Sequence, residues 1–491
     1  MKLNKNIKAI PGLILISVIG LTSCNKFGDT NVSPNASTTP VTSALLTNVE
    51  TFLASDAIGS STSTNTSPQF TFLAPYFVQH YSQIQYPDNQ LYPTTGVAWD
   101  NYYAAVLEDL QNIINVCTKN PDPIALAGNT VNQIQIARIL KAYYFSILTD
   151  KYGDVPYSQA LTGALKVPYD KQQDIYNSLF TELKEAVAAF QNTGSAIKGD
   201  IIYAGNIGNW KRFANSLRLS LAMRLSKVDP TKGKTEFMAA LGDAGGLIDN
   251  NTYNFKVSYP GGTFNNPIYN LATASVFAIS KPLADMLNGY NDPRKFAYGD
   301  TTKSIVVKGF PYGLNRTNAQ AWIVSNPDYS LAYDSIFKAP NSPVFVFTAA
   351  YVDLLRAEAS ITYTTGENTF NLTKKGIEDS WAQWGAIGDI NAYLTAIGIS
   401  AGNTPLAKIQ EQMWIALFGS EMNAFNEWRR TGVPTLVPAP DATNPSKKIP
   451  RRFPYPLTEP NVNGEAYTAA KSSIPYGGTD DEISRVWWDK P

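Results

Sequence analysis

Apolar residues recur at helical spacing over most of the chain beyond residue 40. In the segment that begins at Asn129, Ile136, Leu140 and Ile147 form one apolar stripe. A period of about 3.6 residues indicates amphipathic helices that bury one face. Comparable stripes predict further helices at residues 40–58, 99–117, 168–190, 210–226, 348–363, 373–384, 390–397 and 405–427.

Short polar connections join most of the predicted helices, which favours antiparallel hairpins stacked side by side. Asp170 and Gln173 have the spacing of a capping box, which places one helix start at Asp170. No regular repeat of about 34 residues accompanies the pattern. We therefore predict a mainly α fold, a tetratricopeptide-like helical hairpin array, from the helices and their connections.

The helical period fades between Asn250 and Ser342. Turn signals such as Tyr259-Pro260-Gly261-Gly262 and Asn326-Pro327-Asp328 replace it. A long irregular stretch inside a large fold is more often functional than incidental. We predict one globular body at residues 41–491, in which a helical array (41–249) is followed by an irregular, loop-rich insert (250–347). C-terminal helices and an extended tail (348–491) complete it.

The first residues have the pattern of an export signal. Lys2, Lys5 and Lys8 precede an apolar run at residues 10–21. This run is shorter than the roughly 20 residues of a bilayer-spanning helix, so we predict a cleaved signal peptide at residues 1–23.

A cysteine stands directly after the predicted signal peptide. The sequence Leu21-Thr22-Ser23-Cys24 resembles the bacterial lipobox, in which the cysteine is acylated and becomes the first mature residue. We predict lipidation of Cys24 and a flexible tether at residues 24–40, which are rich in Asn, Ser, Thr and Pro. The alternative is a chance cysteine near an ordinary cleavage site.

Composition argues against several other classes of protein. The chain has 40 basic and 40 acidic residues, without the basic stripe of a nucleic-acid-binding protein. Its single histidine, His80, is the only residue on which a Ser-His-Asp or Cys-His site could depend, and we expect it to be structural. Cys117 is expected in the core. No acidic loop has the spacing of a calcium site, so no metal or cofactor is predicted.

Several sequence phrases follow one another along nearly the whole mature chain. They are Trp99-Asp100-Asn101-Tyr102-Tyr103, Leu148-Thr149-Asp150-Lys151-Tyr152-Gly153-Asp154-Val155-Pro156-Tyr157, Pro168-Tyr169-Asp170, Trp210-Lys211-Arg212-Phe213-Ala214-Asn215-Ser216-Leu217-Arg218, Asn291-Asp292-Pro293-Arg294, Leu355-Arg356-Ala357-Glu358-Ala359, Glu427-Trp428-Arg429-Arg430-Thr431-Gly432, Tyr455-Pro456 with Glu459 and Asn463, and Trp487-Trp488-Asp489. Together they resemble the SusD/RagB family of Bacteroidetes nutrient-uptake lipoproteins, nearest its shorter SusD-like branch. Tyr351 departs from the family, which commonly has a glutamate there.

The resemblance implies a fold, a place and a partner. The fold is a set of tetratricopeptide-like helix pairs with a more irregular ligand-facing half. The place is the outer membrane, with the lipid-anchored protein exposed at the cell surface. The partner is a SusC-like TonB-dependent outer-membrane barrel, over which the lipoprotein acts as a hinged lid. The cargo it implies is a glycan, or a peptide in some members, and the role is binding rather than catalysis.

Family ligand contacts do not lie in fixed motifs, so the candidate site comes from local chemistry. Sugars stack their C–H faces on aromatic rings and bond their hydroxyls to amides, carboxylates and arginine. Two loop segments, 76–99 and 310–333, are rich in such residues. The candidate ligand-binding residues are Tyr81, Tyr86, Asp88, Asn89, Tyr92, Tyr312, Asn315, Arg316 and Trp322.

Trp322 and Tyr86 are the preferred stacking residues, and the two segments are expected to converge in space. The alternative is that these aromatic side chains only pack the loops onto the helical body. Two other functions remain open. A surface glycoside hydrolase would need two carboxylates about 5 to 9.5 Å apart, and a structural or peptide-binding lid would leave cargo choice to the barrel.

Overall fold

Helices dominate the structure, as the apolar spacing predicts. The computed structural model describes residues 41–57, 73–93, 98–121, 125–272, 277–303 and 306–491. The predicted signal peptide, Cys24 and the tether lie outside these residues. Within the described part of the chain, no helix combines the length and apolarity needed to cross a bilayer.

The N-terminal helices form a stacked series. They are α1 (Thr42–Ala57), α2 (Ala74–Phe77), α3 (Glu108–Lys119, preceded by a π-helical turn at Tyr102–Leu107), α4 (Thr130–Tyr152), α5 (Gln172–Ala189), α6 (Ile207–Arg224) and α7 (Pro230–Leu241). From α3 to α7, each helix packs against the next. Side-chain oxygens of Asn129, Asn206 and Asp229 cap α4, α6 and α7 by accepting backbone N–H groups. The mainly helical, tetratricopeptide-like fold is thereby confirmed.

Short antiparallel strand pairs connect distant parts of the chain. The strands are β1 (Tyr81–Gln83), β2 (Val155–Pro156), β3 (Tyr169–Asp170), β4 (Phe255–Val257), β5 (Phe277–Ile279) and β6 (Val344–Phe347). They pair as β1 with β5, β2 with β3, and β4 with β6. The β1–β5 pair joins the loop after α2 to the middle of the chain, which positions the candidate site.

Further helices occupy the middle and the C-terminal part of the chain. They are α8 (Pro267–Ala272), α9 (Lys281–Gly289), α10 (Lys295–Tyr298), α11 (Arg316–Ser325), α12 (Ala349–Thr362), α13 (Thr369–Gln383), α14 (Ile390–Ala396), α15 (Leu406–Ala416), α16 (Glu421–Thr431), α17 (Glu459–Val462) and α18 (Gly464–Ser472). Short 3₁₀ helices lie at Pro87–Leu91, Ala125–Ala127, Asn251–Tyr253 and Pro475–Gly477. α12 packs against α6, α13 and α15, so it joins the C-terminal helices to the N-terminal series.

The helix predicted from Asp170 begins two residues later and without its capping box. Asp170 lies in β3, and its carboxylate accepts the backbone N–H groups of Tyr157 and Ser158 at 3.0 and 2.9 Å. Asp154 instead accepts the backbone N–H of Gln172, the first residue of α5, at 2.9 Å. The capping prediction was wrong because strand pairing offers Asp170 closer donors.

The single helix predicted at residues 405–427 is two helices. α15 ends at Ala416 and α16 begins at Glu421. Between them Gly419 has a φ of 81°, a conformation that glycine adopts easily and other residues rarely adopt. The apolar stripe continues across this break, so periodicity alone did not reveal it.

Buried polar networks explain several of the sequence phrases as scaffold. The Arg430 guanidinium lies 2.5 Å from carboxylate oxygens of both Glu358 and Glu427. Tyr351, the departure from the family, donates its hydroxyl to Glu427 at 2.6 Å. A phenol therefore supplies a polar contact in this network from the position where the family commonly has a carboxylate.

Cys117 lies in the core, as expected. Its side chain is buried, and burial raises the pKa of the thiol to about 11. A thiol with so high a pKa is almost wholly protonated at neutral pH and is a poor nucleophile.

Candidate functional site

The two aromatic, polar segments of the sequence lie against each other. The Ser82 hydroxyl donates to the Phe310 carbonyl at 3.0 Å, and the Gln90 side-chain amide donates to the Leu314 carbonyl at 3.0 Å. The 3₁₀ helix Pro87–Leu91 also contacts α11. We call the exposed and half-buried candidate residues of the two segments the aromatic rim; its members are Tyr86, Asp88, Asn89, Asn315, Arg316 and Trp322.

Three candidate tyrosines lie beneath this surface. Tyr312 donates its hydroxyl to that of Tyr92 at 3.1 Å, and the Tyr81 and Tyr333 hydroxyls lie 2.5 Å apart. Tyr81, Tyr92 and Tyr312 are all buried, and burial raises the pKa of each hydroxyl. Tyr81 and Tyr92 therefore present almost no ring surface to solvent, whereas Tyr312 is 8% exposed and lines a pocket.

His80 is a structural residue. Its Nδ1 lies 2.7 Å from a carboxylate oxygen of Glu421, and its Nε2 lies 3.1 Å from the Trp414 carbonyl. Both side chains of the His80–Glu421 pair are fully buried. Because both ring nitrogens have partners inside the protein, the imidazole ties the first segment to α15 and α16.

The rim itself is polar and accessible. The Tyr86 side chain is 63% exposed, and Asp88 and Arg316 are exposed as well. Asn89 and Asn315 are half-buried. Asn315 caps α11 by accepting the backbone N–H of Asn318 at 2.9 Å, which fixes the start of the helix that carries Arg316 and Trp322.

Trp322 borders a pocket of about 450 Å³. Its half-buried ring packs edge-on against Phe310, with a centroid distance of 4.8 Å, and against Tyr329 at 5.8 Å. These contacts hold the indole in one orientation. The other residues that line the pocket are Lys281, Asp285, Asn288, Val306, Val307, Lys308, Gly309, Pro311 and Asn326.

A second pocket, of about 360 Å³, adjoins the first. Lys281, Asp285 and Pro311 line both pockets. Val437, Pro438 and Pro440 also line the second pocket, and they belong to a part of the chain that the sequence did not connect with the site. Lys281, Asp285 and Lys308 were also missed: the first two lie outside both segments, and Lys308, two residues before the second, is a single charged residue without a motif around it.

The described residues offer no cluster of three or more His, Cys, Asp or Glu side chains that could hold a metal ion. The site is therefore made of aromatic faces, amides, an arginine, two lysines and two carboxylates. This set of groups stacks on rings and bonds hydroxyls, which is the chemistry of a carbohydrate-binding protein.

Comparison with known families agrees with that class of protein. The family model SusD-like, described as "starch-binding associating with outer membrane", matches residues 34–456. The chain belongs to this SusD-like family. No curated protein matches the chain by sequence.

Solved structures extend the likeness over almost the whole chain. A protein described as a chitin-binding protein is 28% identical, with a TM-score of 0.74, over 92% of this chain and 100% of its own. A SusD homologue from Bacteroides uniformis is 28% identical, with a TM-score of 0.78, over 91% of this chain and 99% of its own. A chitin-binding SusD homologue from Flavobacterium johnsoniae is 24% identical, with a TM-score of 0.72, over 91% of this chain and 98% of its own.

Proposed function

We propose that this protein captures oligosaccharides at the outer surface of the outer membrane and delivers them to a SusC-like TonB-dependent barrel. The observation that carries the proposal is the contact between the two segments that bear the rim residues, together with two adjoining pockets, one of which Trp322 lines. Membership of a family described as starch-binding supports it.

Each rim residue has a role in this proposal. Tyr86 and Trp322 stack on the C–H faces of sugar rings. Asp88 accepts hydrogen bonds from sugar hydroxyls and Arg316 donates them, while the amides of Asn89 and Asn315 do both. The buried tyrosines hold these groups in place, so little conformational entropy is lost when a ligand binds.

Binding without bond cleavage is part of the proposal. A hydrolase would place an acid and a second carboxylate about 5 to 9.5 Å apart across the scissile bond. We expect the full chain to bind glycans without producing new reducing ends. A time-dependent rise in reducing ends with purified protein would favour the rival interpretation, a surface glycoside hydrolase.

The proposed location depends on Cys24. Thioether-linked and amide-linked acyl chains on this residue would hold the protein at the membrane, because two or more chains suffice for stable anchoring. Cells fed an alkyne-labelled fatty acid should incorporate the label into the wild-type protein and not into Cys24→Ser. Equal labelling of both proteins would contradict the anchor.

Calorimetric titration of the full chain in detergent tests the rim. We expect Trp322→Ala and Tyr86→Ala each to weaken binding of an oligosaccharide by about 5- to 150-fold, since loss of one stacked ring costs about 1–3 kcal/mol. Chitin oligosaccharides belong in the panel because a 28% identical relative is described as chitin-binding.

Phe296→Ala is the matched control for these two variants. This aromatic residue of α10 is 48% exposed but belongs to neither segment. We expect it to leave affinity unchanged. Wild-type affinity in both rim variants, or an equal loss in the control, would contradict the site.

A further inference from the structure

One lysine near Trp322 is held in an unusual setting. The Lys308 ammonium nitrogen lies 5.5 Å from the centroid of the Trp322 ring and donates to the side-chain oxygen of Asn326 at 3.2 Å. Asn326 in turn donates its amide to the Trp322 carbonyl at 3.1 Å. The lysine, the indole and the amide therefore form one connected group on the wall of the larger pocket.

The backbone of Lys308 is fixed as well. Its N–H donates to the Ser330 hydroxyl at 3.0 Å, and its carbonyl accepts the Ser330 N–H at 2.9 Å. The side chain is exposed, and among the described residues the partners of its ammonium group are the Asn326 side chain and the Trp322 ring. Its partners, an amide and an aromatic face, leave the positive charge uncompensated.

The other residues of the pocket do not supply a negative charge to balance Lys308. Lys281 forms an ion pair with Asp285, the only carboxylate among the lining residues. Two cations against one anion leave the lining with one net positive charge. Arg316, exposed on the same helix as Trp322, also has no ion-pair partner among the described residues. The lining of the pocket beside Trp322 thus favours a ligand with negative charge.

We propose that the pocket beside Trp322 takes a sugar that bears a carboxylate, a uronate, with its ring on the indole and its carboxylate on the Lys308 ammonium. This inference rests on the proposed function and names the cargo class. Because the lysine stem is flexible, the ammonium can move off the ring and follow the carboxylate while the indole receives the sugar.

Matched pairs of ligands test this inference. Oligomers of galacturonate, glucuronate and alginate are titrated into the full chain beside their carboxyl-reduced counterparts, which keep the sugar backbone and lose the charge. We expect at least one uronate to bind about 3- to 10-fold more tightly than its reduced counterpart at low ionic strength. This preference should shrink as salt screens the charges.

Two variants assign the preference to a residue. Lys308→Gln should abolish the difference between the uronate and its reduced counterpart. Lys234→Gln, which removes an exposed charge from α7, should retain it. If no uronate exceeds its reduced counterpart, or if the preference survives in Lys308→Gln, the inference is overturned, and the lysine serves only to cover the indole.

The outcomes separate this inference from the proposed function. Equal binding of charged and reduced oligomers, lost in Trp322→Ala, would overturn the uronate preference and leave oligosaccharide capture standing. Failure of every charged and neutral oligosaccharide to bind the wild-type chain would contradict both.

Discussion

At the scale of single residues, the structure separates side chains that look alike in the sequence. Tyr86 and Tyr92 lie six residues apart in the same aromatic segment, yet one is 63% exposed and the other fully buried. Spacing showed that the segment is rich in aromatic and polar residues. It could not show which rings face outward, because that depends on contacts with distant residues such as Tyr312 and Ala439.

Glu50 gives a prediction at this scale. This residue of α1 is fully buried, and burial together with the nearby Asp200 carboxylate raises its pKa well above the usual range. The folded state therefore retains a proton that the unfolded chain releases above about pH 4.3. The stabilising effect of the protonated Glu50 carboxyl is present below that pH and is lost as the pH rises through the folded-state pKa.

The variant Glu50→Gln removes this ionisation. We expect the Tm of the variant, relative to wild type, to be higher at pH 8 than at pH 4. Only the wild-type chain has a carboxyl group at this position, and as the pH rises the ionised form of that group increasingly favours the unfolded state. Scanning calorimetry at the two pH values measures the difference. A Tm difference independent of pH would show that Glu50 does not titrate in this way.

At the scale of elements, most helices follow from the sequence and the junctions do not. The stripe of Ile136, Leu140 and Ile147 marks α4 well. The β1–β5 pair joins the first segment to a strand that also bridges Leu331 of the second, and it carries no such signal, since strands of three residues are too short to show a period. The contact between the two segments was instead predicted from their shared richness in aromatic and polar residues.

The cap of α11 gives a prediction at the scale of elements. Asn315→Ala removes the side-chain oxygen that accepts the backbone N–H of Asn318. We expect a loss of about 1 kcal/mol in the free energy of unfolding and weaker oligosaccharide binding, because α11 carries Trp322. Chemical denaturation and calorimetric titration measure the two effects.

Asn206→Ala is the matched control. Asn206 caps α6 in the same way, by accepting the backbone N–H of Asn209 at 3.2 Å, but it belongs to neither site segment. We expect a similar loss of stability with unchanged affinity. If both variants bind equally well, the position of α11 does not control the site.

At the scale of the whole molecule, the C-terminal residues pack against the end of α4, far away in the sequence. Trp488 is fully buried and donates its indole N–H to Asp150 at the end of α4, at 2.8 Å. Asp489 pairs with Arg451 at 2.6 Å and with Arg485 at 2.9 Å. The sequence marked this end as extended and rich in motifs, but the contact with Asp150, 338 residues away, has no local signature.

Removal of this closing contact should destabilise the whole fold. We expect Trp488→Ala to lower the free energy of unfolding by about 3–5 kcal/mol, because it leaves a large cavity and deprives Asp150 of a donor. Trp487→Ala, at a half-buried neighbour, should cost less. Equal losses in the two variants, measured by urea denaturation, would contradict a specific stabilising role for the contact between Trp488 and Asp150.

A crystal structure of the full chain with a bound oligosaccharide is the most direct measurement of what this molecule does. We expect a sugar ring on Trp322 or Tyr86, with hydroxyls bonded to the amides, carboxylate or arginine of the rim, and an unbroken glycosidic linkage. An oligosaccharide seated on another face, with the rim empty, or a cleaved product at the rim, would contradict capture by this surface.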